Sequence, residues 1–399
     1  MADLSIIYLG YLGVILLIGL LVTIISKKLK IPNFLFLIFV GVALANVSYN
    51  GEPLITFSSV FLTALAILAL SMIVFDSSSR FNIRRFDSLS ISALKLTLIF
   101  LALNLAFLSL ATWYIYKPAS VVLAILFAAA MSGTSPSIVL FLFKGVKTKV
   151  FQFLEVESIL NTPIMVLIPF LLLEFIKENI EGTAQLSSQI IPFAREIIVG
   201  IGSGILIAVI LFKVMHKKYH PTLSPIAAIS GALLTYLMSE ALGGNGVLAV
   251  TTLGLFFGNV YIKHRIKMQY FSEVFSTILE LLVFVLIGWI IKIPLTAKFF
   301  ITSLSLFAIF VLIRFFAVML SFKKKDFTFK EKLFIALNVG KGIAVAVIAF
   351  TLATLAIKGI TPILDLIVAF LIYSIILSSV IVRFSKFFTK IEPLKEEKK

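Results

Sequence analysis

The stretch EVESILNTPIM, residues 155–165, sets Glu155, Glu157, Ser158, Asn161 and Thr162 inside an apolar run. Polar groups in so greasy a segment cost free energy unless they are paired or used. On a helix turning about 100° per residue, Glu157 and Asn161 stack at i, i+4, with Ser158 and Thr162 beside them, so the four make one polar face. Glu155 is expected to point away, toward a different neighbour. A carboxylate at this depth must be neutral or have a cation opposite it. Arg314, deep in another apolar run, is the expected partner of Glu157, because guanidinium stays charged and binds carboxylates strongly. Lys341 is the other candidate.

Around this stretch, the 399 residues are 60% hydrophobic and 14% charged. A soluble fold could not hide so much apolar surface, so the expected class is an all-α polytopic membrane protein. Thirteen apolar segments have spanning length or come near it: roughly 5–25, 34–47, 54–75, 91–116, 119–143, 150–174, 190–213, 222–241, 246–262, 274–292, 296–321, 330–356 and 360–384. The first lacks a basic leader and a small-residue cleavage site, so it reads as a retained span. Residues 1–388 form one transmembrane domain, and 389–399 a short charged tail.

The net charge of +16 is a topology signal rather than a nucleic-acid one. Most Lys and Arg crowd alternate loops and the tail, which places the N-terminus outside and the C-terminus in the cytoplasm of a multi-pass cell-membrane protein. Trp113 and Trp289 then fall at outer helix ends. The chain has no cysteine, and its three histidines, His216, His220 and His264, lie in loops of the basic side. Thiolate and intramembrane imidazole sites are thereby excluded, no cofactor is expected, and an enzyme is disfavoured.

Two spans carry helix-breaking sequences. SGTSPSI (132–138) interrupts the fifth, and NVGKGIAV (338–345), with Gly340 and Gly342 around Lys341, interrupts the twelfth. Seven spans separate them. The same offset separates GVALAN (41–46) from GLFFGN (254–259), each at a helix end. Two inverted six-helix repeats with broken helices 5 and 12 give this pattern, and matched interruptions point to a transporter's binding site.

In order along the chain, these residues resemble the monovalent cation:proton antiporters, in particular the prokaryotic sodium/proton exchangers. Members of that branch carry Thr-Asp-Pro in a broken fifth helix and Glu-Ser-Leu-Leu-Asn-Asp in the sixth. They also have an arginine in the eleventh and a Gly-Leu-Arg-Gly-like stretch in the broken twelfth. The matching residues are Thr134-Ser135-Pro136, Glu157-Ser158-Ile159-Leu160-Asn161-Thr162, Arg314 and Gly340-Lys341-Gly342. The resemblance implies alternating access, with a core of about 91–174 and 296–384 moving against a homodimer scaffold of about 5–75 and 222–292, joined by a linker helix at about 190–213. It also implies a structural Glu157–Arg314 ion pair.

Both ion-binding aspartates of that family are replaced here, by Ser135 and Thr162. The oxygens left for sodium or potassium are those of Thr134, Ser135, Ser158, Asn161 and Thr162, and hard cations accept neutral oxygen ligands. None of these groups titrates, so proton exchange needs another carrier, with Lys341 and Glu155 as candidates. The partners expected are membrane lipid, a transported ion and a proton, with no nucleic acid. The alternatives are transport of an anion or neutral solute, since Lys341 leaves the crossing net positive, and a non-transporting sensor.

Overall fold

The computed structural model describes residues 2–389 apart from 30–31, 50–51, 54, 82–86, 136–147, 180–185, 218–222, 260–264, 292, 324 and 356. Its helices are α1 (Ala2–Leu29), α2 (Asn33–Asn46), α3 (Ser59–Arg80), α4 (Ser88–Tyr116), α5 (Val121–Ala130), α6 (Lys149–Asn179) and α7 (Leu186–Lys217). They continue with α8 (Leu223–Ala241), α9 (Gly246–Asn259), α10 (Arg265–Ile290), α11 (Ala297–Ser321), α12 (Phe329–Leu337), α13 (Ile343–Thr354), α14 (Thr361–Arg383) and the short α15 (Ser385–Phe388). A two-residue antiparallel ladder, Ser48–Tyr49 with Glu52–Pro53, turns the chain between α2 and α3. Among the described residues, eight helices are long and apolar enough to cross a membrane, and five shorter apolar helices fall at the remaining expected spans.

Lipid supplies no hydrogen bonds, so each span must satisfy its own backbone and can do so only as a helix. Polar residues mark the starts: Ser58, Asp87, Ser120, Thr296 and Thr328 each accept from a backbone N–H three residues on. The N–H and hydroxyl of Ser90 hold the Asp87 carboxyl below the usual carboxylate range. That cap is complete above the unfolded carboxylate's pKa and is lost as pH falls through the lowered folded value. Hydroxyls inside spans turn back on their own helix, as Thr235 does to Gly231 O and Ser321 to Ala317 O.

Two departures from the sequence expectation bear on the site. The third span was expected at 54–75, yet α3 runs on to Arg80. Its polar end stays helical because Arg80 pairs with Asp76 at 3.1 Å and the Ser79 hydroxyl donates to Asp76 O. The fourth span is not uniformly α: Asn104–Leu108 and Thr112–Tyr116 are π-helical turns. The second half of the fifth span, with Pro136, lies outside the described residues, as do Arg84, Arg85, Lys144, Lys147, Lys218, Lys263 and the tail from 390.

Helices α4, α5, α6, α11, α12 and α14 pack on one another, as do α2, α3, α8, α9 and α10; α13 touches both sets, lying against α14, α3 and α10. Small residues let backbones meet in the second set. Gly41 of α2 and Gly288 of α10 face each other, and a Cβ on either would run into the partner helix's backbone. Gly254 and Gly258 of α9 do the same against the end of α3. Asn46 and Asn259, closing α2 and α9, each donate to the carbonyl four residues back at 2.7 Å. A seven-span offset therefore carries the α2–α10 contact onto the α9–α3 contact. Gly41→Val should force α2 off α10 and cost about 3 kcal/mol, read as a lowered unfolding midpoint in detergent.

Candidate ion site at the crossing of two interrupted helices

Helix α5 stops at Ala130, and Gly133–Ser135 continue without helical hydrogen bonds. Helix α12 stops at Leu337, and α13 does not begin until Ile343. The two breaks meet: the Ser135 N–H donates to Gly340 O at 2.7 Å. The end of α5 presents spare carbonyls, the negative pole of a helix. Lys341 answers them, its Nζ donating to Met131 O at 2.6 Å and to Gly133 O. Its own N–H donates to Ser374 Oγ of α14, and its ammonium stands 4.4 Å from the Phe310 ring centre. Lys341 is 1% exposed and ties one broken helix to the other.

The polar face of α6 closes the crossing from one side. Nη2 of Arg314, from α11, donates to both Glu157 oxygens, at 2.7 and 2.8 Å. One nitrogen serves the whole carboxylate in place of a parallel fork. Nε and Nη1 of Arg314 have no hydrogen-bond partner among the described residues, and the guanidinium lies 4.7 Å from the Phe100 ring centre. Asn161 Nδ2 donates to Thr134 Oγ1 at 2.9 Å, and Thr134 donates onward to Glu157 Oε1 at 3.3 Å. Thr134 thus joins the first break to the ion pair. The Thr162 hydroxyl turns back to Ser158 O at 2.7 Å. Asn161 is 2% exposed, and its Oδ1 has no hydrogen-bond partner among the described residues.

A cavity of about 240 Å³ opens on this arrangement. Gly133, Thr134 and Ser135 line it from the first break, Ser158, Asn161 and Thr162 from α6, and residues 342–345 from the start of α13. Helix α13 has no side-chain cap among the described residues, and its first residues line the cavity. Glu157, Arg314 and Lys341 are not in the lining.

Glu155 corrects an expectation. It was to face elsewhere, but it lines this same cavity and is exposed. The reason is helical arithmetic: 155, 158 and 162 stand at i, i+3, i+7, one stripe of the helix. Helix α3 adds Ser77 and Arg80 to the lining, which sequence reasoning missed because the serine run FDSSSR lies past the expected end of the third span at residue 75. The i, i+4 spacing of Asp76 and Arg80 was the available signal. Asn104 was also missed: its Nδ2 donates to Ser132 Oγ at 3.1 Å, beside the first break.

Residues 13–387 match the family model described as "Sodium/hydrogen exchanger, transmembrane". The chain belongs to the sodium/hydrogen exchanger family. Exchangers of this family are transporters and not enzymes. One relative, named "Na(+)/H(+) antiporter 1" of Methanocaldococcus jannaschii, is 27% identical over 366 residues, 88% of this chain and 84% of its own length. Another, named "K(+)/H(+) antiporter NhaP2" of a Shewanella species, is 25% identical over 324 residues, 80% of this chain and 56% of its own. The solved sodium proton antiporter MjNhaP1 of Methanocaldococcus jannaschii shares this exchanger's fold, with a TM-score of 0.74 over 95% of this chain and all of that one, at 23% identity.

Proposed function

We propose that this exchanger-family chain is a monovalent cation:proton antiporter of the cell membrane, carrying sodium or potassium by alternating access. The observation that carries the reading is Asn161 Oδ1, a buried acceptor without a partner among the described residues, beside a cavity lined by Thr134, Ser135, Ser158 and Thr162. Neutral oxygens converging on one small space suit a weakly hydrated hard cation. Glu157 and Arg314 hold the wall and Lys341 holds the crossing, so neither charge is left to face the ion. Its relatives, one named a sodium and one a potassium antiporter, support the class and leave the ion open between the two.

In this reading, the helices of 91–174 and 296–384 move as a core against 5–75 and 222–292, with 190–213 as linker, in a homodimer. The N-terminus faces outside and the C-terminus the cytoplasm. The paired glycine contacts of α2–α10 and α9–α3 support the inverted repeat that such a motion needs. Thr134→Val and Asn161→Ala each remove one oxygen ligand. Each should weaken sodium or potassium binding about tenfold, equivalent to about 1.4 kcal/mol. Titration calorimetry on the detergent-purified protein measures this, and unchanged affinity in both variants would refute the site.

One observation favours a second reading, transport of an anion. The N-terminal residues of α13, uncapped by a side chain among the described residues, line the cavity. Chloride and bicarbonate belong in the same titrations; saturable anion binding without alkali-cation binding would select that reading.

A further inference from the structure

Exchange of a cation for a proton requires an acid that feels the cation, and Thr134, Ser135, Ser158, Asn161 and Thr162 in the cavity lining do not titrate. The charged groups of the crossing do not fill the gap. Glu157 is held by Arg314 and Thr134, and Lys341 is turned into the α5 carbonyls, out of the lining. Glu155 is different: it is exposed, it lines the cavity, and it stands on the Ser158–Thr162 stripe of α6.

We infer that Glu155 is the acid through which proton and cation compete in this cavity, acting across space and not as a shared ligand. The assignment rests on the antiport reading. Residues 155 and 162 are separated by about 10 Å along the helix, too far for the Glu155 carboxylate to bind an ion held at the Thr134–Asn161–Thr162 level. It is near enough to be felt. Two unit charges about 10 Å apart at an effective dielectric of about 20 alter each other's binding on the order of tenfold. A cation entering the cavity therefore favours ionised Glu155, whose proton leaves to cavity water. A proton returning to Glu155 weakens the cation's hold by the same factor, since linkage is reciprocal.

The other groups around α6 do not replace it. From α3, Arg80 shares the cavity and is paired with Asp76. Helix α4 brings Asp87, which caps its own helix, and exposed Lys95. Helix α12 brings Lys330, Glu331, engaged in the Thr328 capping box, and Lys332, bonded to Phe322 O. Helices α5, α9 and α13 contribute no titratable side chain.

The test is proton release on addition of sodium or potassium chloride to the weakly buffered, detergent-purified full chain, beside calorimetric cation affinity across pH. The native protein should release protons on cation binding, and its affinity should fall as pH falls. Glu155→Gln should still bind the cation with little or no proton release and an affinity independent of pH. Native-like release from Glu155→Gln would overturn the assignment while leaving antiport standing. A native protein that binds no alkali cation would overturn both. Should Glu155→Gln fail to fold, Glu155→Asp decides: the midpoint of its release profile moves if residue 155 carries the proton, and an unmoved midpoint rejects the role.

Discussion

Glu157→Ala should destabilise the protein by on the order of 3–5 kcal/mol, the cost of stranding a buried charge by removing its partner. Among the described residues, fully buried Arg314 gives its two hydrogen bonds to Glu157 through one nitrogen, with Nε and Nη1 unpartnered. Without Glu157, nothing among the described contacts neutralises it except the face of Phe100. Thr134 loses its acceptor in the same step, so the cavity wall should loosen along with the core. Glu157→Gln keeps an acceptor oxygen for Nη2 and should lose visibly less. The double variant Glu157→Leu with Arg314→Met removes both charges and should recover most of the stability. Unfolding midpoints in detergent measure all three. A single Glu157→Ala variant within about 1 kcal/mol of the native protein would show that water reaches Arg314 and that the pair is not sealed.

Lys341→Met should have the second large effect, about 3 kcal/mol or more in stability, because two charge-assisted hydrogen bonds go at once. Its ammonium holds carbonyls that α5 leaves free at its end, so their desolvation cost returns when it goes. The thioether fills similar volume, which separates loss of charge from loss of packing. Lys341→Arg keeps the positive charge at the helix end and should retain most of the stability. If Lys341→Met folds as stably as the native protein, the Ser135–Gly340 contact alone secures the crossing.

How far this was legible in the sequence differs from residue to residue. The spans followed from hydropathy because lipid allows so few backbone solutions, and the breaks followed from Gly133, Gly340 and Gly342. The meeting of Glu157 with Arg314 could be anticipated because a deep carboxylate has few possible partners. The partners of Lys341 could not, since they are backbone carbonyls and carry no residue signature. Asn104 finds its partner, Ser132, in the break after another helix, so no local pattern announces it. Arg80 was hidden by a serine run that lies past the expected end of the third span but is held helical by Asp76. Glu155 was a different kind of error: its place on the Ser158–Thr162 stripe was available from spacing alone and was misread.

The most direct test of the central claim is made in liposomes carrying an imposed pH gradient and a trapped pH dye. If the chain exchanges monovalent cations for protons, adding sodium or potassium to the native protein dissipates the gradient, and chloride or bicarbonate does not. Silence toward every alkali cation in the native protein, with dissipation in a Ser135→Asp/Thr162→Asp variant run beside it, would contradict the account. The fold would then be that of an exchanger whose cavity has given up cation exchange.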